Sequence, residues 1–167
     1  GDKGETGTFD GKRISKDSLQ MEILGTIDEA NSFLGLSASF LEEKYLINKI
    51  TQVQKTLFKL GSIIAGAKNS ISKSIITKYE KEIDEWIKTM PELKNFIFPG
   101  GCPAASALFT ARTVVRRTER LIVRLNGEKR VQPGILIYIN RLSDYLFVLA
   151  RYINFKKRLE ESIWKTE

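Results

Sequence analysis

The chain has 167 residues, of which 42% are hydrophobic and 28% charged, and these values are typical of one domain with a substantial core. It contains no histidine and a single cysteine, Cys102, which excludes His/Cys metal sites, Ser–His or Cys–His catalysis and a disulfide within the chain. The net charge of +7, concentrated in residues 112–130 and 151–158, favours anionic partners such as nucleotides or nucleic acid. With no long apolar run, no secretory signal in GDKGETGT and one free cysteine, a cytoplasmic location is expected.

Residues 1–17 hold four of the twelve glycines and show no apolar periodicity. We therefore expect a loop or irregular arm in this segment, followed by one helical domain over residues 18–167. The glycines allow backbone N–H groups to approach an anion, and Lys3 and Lys16 are among the basic residues that add charge. The segment lacks the pattern of a P-loop, so a disordered basic terminus remains an alternative to a nucleotide-binding loop.

Apolar spacing predicts five helices, at about 18–41, 44–67, 72–89 and 103–126 and from Pro133 onward. Asp17–Gln20 is similar to a capping box at the start of the first helix. Gly25 and Gly35 inside this helix suggest close approach of another helix. No convincing strand pair and no repeat is visible, so the expected fold is an all-α, five-helix up-and-down bundle.

The fourth predicted helix carries a row of charged residues. Arg112, Arg116, Glu119 and Arg120 fall within an arc of roughly 100°, and the adjoining arc is apolar. A row of guanidinium groups suits a phosphate chain. Composition alone favours the alternative, a solvated face with i,i+4 ion pairs.

Polar residues also occur in otherwise apolar surroundings elsewhere. Asp28, in the largely apolar first helix, should need a cationic partner. Asn140, Asp144 and Arg151 share a face of the last helix, where either an internal Arg–Asp network or a ligand would satisfy them. The hydrophobic loop Phe96–Gly101 either tucks under the core or forms an apolar wall for a large ligand.

Six separated motifs occur in order along the chain. They are Gly1–Thr6, Lys16, Gly25–Ser32 (GTIDEANS), Phe96–Gly101 (FIFPGG), Ala111–Arg120 (ARTVVRRTER) and Tyr138–Arg151 (YINRLSDYLFVLAR). Together they resemble the PduO-type ATP:cob(I)alamin adenosyltransferases over essentially the whole chain.

The resemblance implies a ferritin-like, cobalamin adenosyltransferase-like bundle that assembles as a homotrimer, with ATP between subunits. It further implies transfer of the 5′-deoxyadenosyl group of ATP to Co(I) of reduced cobalamin, with release of triphosphate. Mg²⁺ would be required, through ligands that the sequence does not identify, and a corrinoid reductase is a candidate partner. Neither nucleic acid nor a membrane is an expected partner.

The resemblance also suggests residue roles. Asp28 and Arg112 match an ion pair on the cobalamin side, Phe96 matches an aromatic that displaces the lower axial base, and Arg116 is the fourth residue expected to act in catalysis. ATP would be held by residues of the arm, the arginine helix and the last helix: Gly1, Asp2, Lys3, Thr6, Gly7, Lys16, Arg116, Arg117, Glu119, Arg120 and Asn140.

The chain departs from the family pattern at Phe109, where the family usually has histidine, so this residue either slows catalysis or only packs. Two other functions are compatible with the residues alone. One is a basic helical module that binds nucleic acid through residues 112–124. The other is a cobalamin carrier that forms no Co–C bond.

Overall fold

The computed structural model describes residues 2–9 and 11–165, so Gly1, an expected ATP-binding residue, lies outside the described part. Within it, two short strands precede five helices. The strands are β1 (Glu5–Gly7) and β2 (Arg13–Ser15), and the helices are α1 (Leu19–Ser39), α2 (Lys44–Ile64), α3 (Lys73–Ile87), α4 (Pro103–Glu128) and α5 (Pro133–Lys156). None of the described helices is long and apolar enough to cross a membrane.

The five helices form the predicted up-and-down bundle. α1 packs between α2 and α4, while α5 packs between α4 and α3. The hydroxyl of Ser37, near the end of α1, donates to the carbonyl of Ala104, at the start of α4, at 2.8 Å, so these two helices run antiparallel. Lys49 of α2 contacts Glu82 of α3 at 2.7 Å and closes the bundle.

The expectation that the chain has no strand pair is wrong, because β1 and β2 form an antiparallel hairpin with Thr6 opposite Ile14. Thr8 N donates to Lys12 O at 2.8 Å across the turn. Gly4 and Gly11 have φ values of +77° and +79°, which other residues rarely adopt. Strands of three residues are too short to give a period-two pattern, which explains why the sequence did not reveal them.

The start of α1 differs from the predicted capping box. Ser18, rather than Asp17, is the N-cap residue, and its hydroxyl accepts from Met21 N at 3.4 Å. The Gln20 side chain instead donates to Ile64 O at 2.6 Å, which ties α1 to the end of α2. Close helix approach is also not the reason for Gly25, because a Cβ there would meet nothing within 4 Å in the described chain.

The turn before α4 is fixed by a buried asparagine of α5. Asn154 accepts from Cys102 N at 3.0 Å and donates to Gly100 O at 2.8 Å. Gly101 has φ +107°, and a Cβ at this position would overlap the Asn154 side chain. Glycine is therefore required at this position by both backbone conformation and space, and the loop Phe96–Gly101 is anchored to α5.

A buried polar and aromatic cluster joins α2, α3 and α5. Glu82 is buried, and its carboxylate accepts from the Tyr145 hydroxyl at 2.6 Å as well as from Lys49. Tyr79 stacks on Tyr145 with ring centroids 4.2 Å apart. Burial raises the pKa of Tyr79 to about 12. The pKa of Tyr145 is also raised, mainly by burial and secondly by its hydrogen bond with Glu82.

These raised pKa values predict a loss of stability in alkali. Below pH 10 the tyrosines are protonated in both states; above it, only the unfolded chain ionises, so the free energy of unfolding falls by about 1.4 kcal/mol per pH unit for each tyrosine. Between pH 8 and pH 11 the free energy of unfolding of Tyr79→Phe, measured by urea denaturation, should fall by about 1.4 kcal/mol less than that of the unmodified chain. An unchanged pH dependence in Tyr79→Phe would contradict this assignment.

Candidate active site

The arginine row of α4 (Arg112, Arg116, Arg117 and Arg120) lies on the side of the helix away from the core. The predicted packing side is confirmed, because Leu108, Ala111, Val115, Thr118 and Ile122 are all buried. Arg116, Arg117 and Arg120 are exposed and Arg112 is half-buried. Arg120 follows Arg112 by eight positions, so the row extends about 12 Å along the helix.

Most of this row is not neutralised by carboxylates. Arg117 pairs with Glu29 of α1. Among the residues that the structure describes, Arg112, Arg116 and Arg120 have no carboxylate oxygen within 4.0 Å. Arg120 donates only to the backbone carbonyl of Arg116, at 3.2 Å. A face with i,i+4 ion pairs, which composition favours, is therefore not what the row presents.

Arg112 lies in an aromatic corner between α4 and α5. Its guanidinium is 5.2 Å from the centre of the Phe147 ring, which in turn meets Phe109 edge-to-face at 5.9 Å. Burial lowers the pKa of Arg112, and Arg116 lowers it further, while Asp144 has the opposite effect. Phe109, at the position where the family usually has histidine, is buried and packs in this corner.

α5 brings Asn140 beside the arginine row. Its side-chain amide donates to Glu119 of α4 at 2.9 Å, so these two predicted nucleotide contacts meet within one chain. Asp144 pairs with Arg141 at 3.0 Å. Arg151 does not join Asn140 and Asp144, because it lies about 10 Å further along the helix than Asp144. It is buried and pairs with Glu161 instead.

Asp28 is exposed and forms no ion pair with Arg112 in the described chain. It lines a groove between α1 and α2, together with Leu24, Leu57 and Phe58, whose ring is 70% exposed. Arg112 faces α5, where its guanidinium lies over the Phe147 ring. The predicted Asp28–Arg112 pair therefore does not form within one chain.

Phe96 stands at the end of the bundle where α4 begins, and its side chain is 80% exposed. Its backbone pairs with the end of the chain: Trp164 N donates to Phe96 O, and Phe98 N donates to Ser162 O, both at 2.8 Å. The rings of Phe96 and Trp164 meet edge-to-face at 6.4 Å. The loop therefore presents Phe96 and Phe98 as an exposed apolar wall, while Ile97 between them packs against the core.

The N-terminal hairpin exposes most of its predicted binding residues. Asp2, Lys3, Gly7 and Lys16 are exposed, and Thr6 is half-buried. Lys16 N donates to Gly4 O at 2.8 Å, which extends the hairpin by one backbone contact. The main contacts of the strands are with each other. The hairpin is thus available to a neighbouring molecule.

Sequence reasoning missed three residues that support this site, namely Asn154, Glu161 and Trp164. Asn154 and Trp164 act through contacts with residues far away in the chain, and Glu161 lies in the irregular segment after α5, so no local pattern marks them. An exposed Trp in a polar tail was the only available signal.

No group of three His, Cys, Asp or Glu side chains that could hold a metal ion occurs in residues 2–9 and 11–165.

Comparisons with known proteins identify the family. The family model for cobalamin adenosyltransferase matches residues 1–153. A corrinoid adenosyltransferase from Bacillus subtilis is 41% identical over 162 residues, which span 92% of this chain and 83% of that protein. The human corrinoid adenosyltransferase MMAB is 35% identical, over 98% of this chain and 70% of its own length.

Solved structures agree with this result. A variant of the PduO-type ATP:corrinoid adenosyltransferase from Lactobacillus reuteri, complexed with cobalamin and ATP, superimposes with a TM-score of 0.94. It is 33% identical, and the match covers 99% of this chain and 94% of that one. The fold, the order of the motifs and these matches lead to the same conclusion: the chain belongs to the cobalamin adenosyltransferase family.

Proposed function

We propose that this chain transfers the 5′-deoxyadenosyl group of ATP to Co(I) of reduced cobalamin and releases triphosphate. The observation that carries the proposal is the row of arginines on α4, three of which lack a carboxylate partner in the described chain. The site must bind a polyanion, and the exposed apolar loop at Phe96 lies at the Arg112 end of the row. Both features suit a large corrin substrate that approaches bound ATP.

The proposed reaction needs no nucleophile from the protein. The electron pair of Co(I) attacks C5′ of the ribose, the Co–C bond forms, and the C5′–O bond breaks with its electrons going to triphosphate. Arg116 and Arg120 stabilise the charge that develops on this leaving group. Arg117 would join them only by leaving Glu29, and Glu119 and Asn140 hold each other at the edge of the nucleotide site.

We further propose that the site is completed by a second copy of the chain in a homotrimer. Three features of the single chain support this proposal: an exposed hairpin, an exposed Phe58, and the separation of Asp28 from Arg112. A neighbour would cover the groove at Phe58, bring its Asp28 to Arg112 and add Lys16 to the triphosphate site. Ring-forming oligomers use such complementary surfaces on two copies.

In the proposed site, Mg²⁺ would bind only together with the nucleotide. The described residues offer no cluster of three metal ligands. Mg²⁺ at nucleotide sites is bound largely by phosphate oxygens and water, with one or two carboxylates. The ion would therefore reach the site as part of the ATP substrate, and no residue of the chain is assigned to it.

The direct test of the proposed function is an anaerobic assay with ATP, Mg²⁺ and chemically reduced cobalamin. Formation of adenosylcobalamin is followed by its absorption spectrum, and triphosphate is quantified in the same samples. We expect the two products in equal amounts. Binding of cobalamin with no Co–C bond formation would instead indicate a carrier.

Arg116→Ala should lower kcat by a factor of roughly 30–1,000, equivalent to about 2–4 kcal/mol, because one electrostatic contact to the leaving group is removed. Arg124→Ala is the matched control: it lies on the same helix and is also exposed, but it pairs with Glu128 at 3.6 Å. We expect this control to retain normal turnover. If Arg116→Ala does as well, the row is only a surface.

Phe96→Ala should keep ATP binding but lose more activity with cob(II)alamin than with prereduced cob(I)alamin. The reason is that an aromatic ring in the place of the lower axial base makes Co(II) four-coordinate and therefore easier to reduce. Prereduced substrate serves as the internal control, since it bypasses this step. Equal losses with both substrates would refute the role of Phe96.

A further inference from the structure

We infer that Arg151 and Glu161 are positioning residues for Phe96, acting through the C-terminal segment (residues 159–165). The inference rests on the proposed function, because it concerns the loop at which cobalamin would bind. Neither residue touches that loop's exposed ring. Their influence passes through the backbone pairing between the segment and residues 96–98.

The first observation is a partly buried ion pair between Arg151 and Glu161, called the clasp. Arg151 of α5 is 5% exposed, and its guanidinium donates to both carboxylate oxygens of Glu161, at 2.5 and 2.9 Å. It also donates to Pro91 O at 3.2 Å, which lies in the connection between α3 and the Phe96 loop. One arginine thus joins α5, the segment and this connection.

The second observation is that the segment forms a strand partner for the Phe96 loop. Ile163 is bridged to Ile97 in an antiparallel pair, and the two backbone hydrogen bonds at Ser162 and Trp164 flank this bridge. The clasp lies one residue before this pairing begins. A shift of Glu161 would therefore be transmitted directly to Phe96.

The third observation is that apolar packing alone does not hold the segment. Leu159, Ile163 and Trp164 are all between 42% and 48% exposed. A cleft of about 890 Å³ separates part of the segment from Met90 and Phe155. The clasp and the backbone hydrogen bonds must therefore supply much of the order, so removing Glu161 should release the segment.

The position of Phe96 depends on this order, because in the described chain its loop is held by hydrogen bonds at two sites, beside the packing of Ile97 against the core. At one end, Asn154 fixes Gly100 and Cys102. At the other, the backbone hydrogen bonds that residues 96 and 98 make outside the loop are, within residues 2–9 and 11–165, with the segment. With the segment released, the loop would keep its anchor at α4 and the packing of Ile97, but lose the backbone hydrogen bonds beside Phe96.

The test compares Glu161→Ala with Glu160→Ala in the full chain. Glu160 is the adjacent exposed carboxylate and, within the described residues, has no basic partner within 4.0 Å. Limited trypsin digestion, read by mass spectrometry, should cut after Arg158 roughly tenfold faster in Glu161→Ala, since cleavage follows the population of the open form. The rate for Glu160→Ala should match that of the unmodified chain.

The functional readout is turnover with cob(II)alamin and with prereduced cob(I)alamin. Glu161→Ala should lose roughly tenfold or more with cob(II)alamin, because misplacing a positioned group by about 1 Å has effects of this size or larger. The loss with cob(I)alamin should be smaller, and ATP affinity should not change. The absorption spectrum of bound cob(II)alamin should show less of the four-coordinate form.

Two further variants separate positioning from folding. Glu161→Gln keeps a hydrogen-bonding side chain and should recover part of the lost cob(II)alamin activity, and circular dichroism checks that each variant is folded. Phe96→Ala combined with Glu161→Ala should be no worse than Phe96→Ala alone, because both changes disable the same step.

The outcomes distinguish this inference from the proposed function. If the unmodified chain and Phe96→Ala behave as proposed but Glu161→Ala retains cob(II)alamin activity, only the clasp is overturned. Multiplicative losses in the double variant would also overturn it. If the unmodified chain forms no adenosylcobalamin, the proposed function fails as well, whatever the digestion shows.

Discussion

The feature on which the rest of this structure depends is α4, a helix that is buried on one side and carries a row of arginines on the other. α4 packs against both α1 and α5, so the core sets which side of the helix carries the arginines. Only Arg117 of the row Arg112–Arg120 has a carboxylate partner in the described residues. A row of unpaired cations on one fixed helix face favours the binding of a polyanion.

The rest of the structure organises the two ends of this array. At one end, the turn at Gly101 and the buried Asn154 set where α4 starts, and the Phe96 loop stands beside that start. Arg112 and its aromatic corner lie between this loop and the other arginines. In the proposed site the corrin would therefore occupy the Phe96 end and the triphosphate the Arg120 end, with the ribose between them.

Much of this arrangement could be predicted from the sequence, because helical periodicity depends on residues close together in the chain. The five helices and the buried side of α4 follow from it. Other contacts join residues that are distant in sequence, as in the pairing of Arg117 with Glu29 and the anchoring of Cys102 by Asn154. The clasp joins Arg151 to Glu161, which lies in the irregular segment after α5. Asp28 shows the same limit: it is exposed because of the way α1 packs against α2, and the sequence of α1 alone does not reveal that packing.

The central claim is that the arginine row of one chain acts with the hairpin of another. Subunit mixing tests it most directly, with Lys16→Ala chains, which keep the row, and Arg116→Ala chains, which keep the hairpin. Unfolded together and refolded as mixed oligomers in equal amounts, they should recover about a quarter of normal adenosylation, since one site in four combines two intact parts. A mixture no more active than either parent alone would contradict the account.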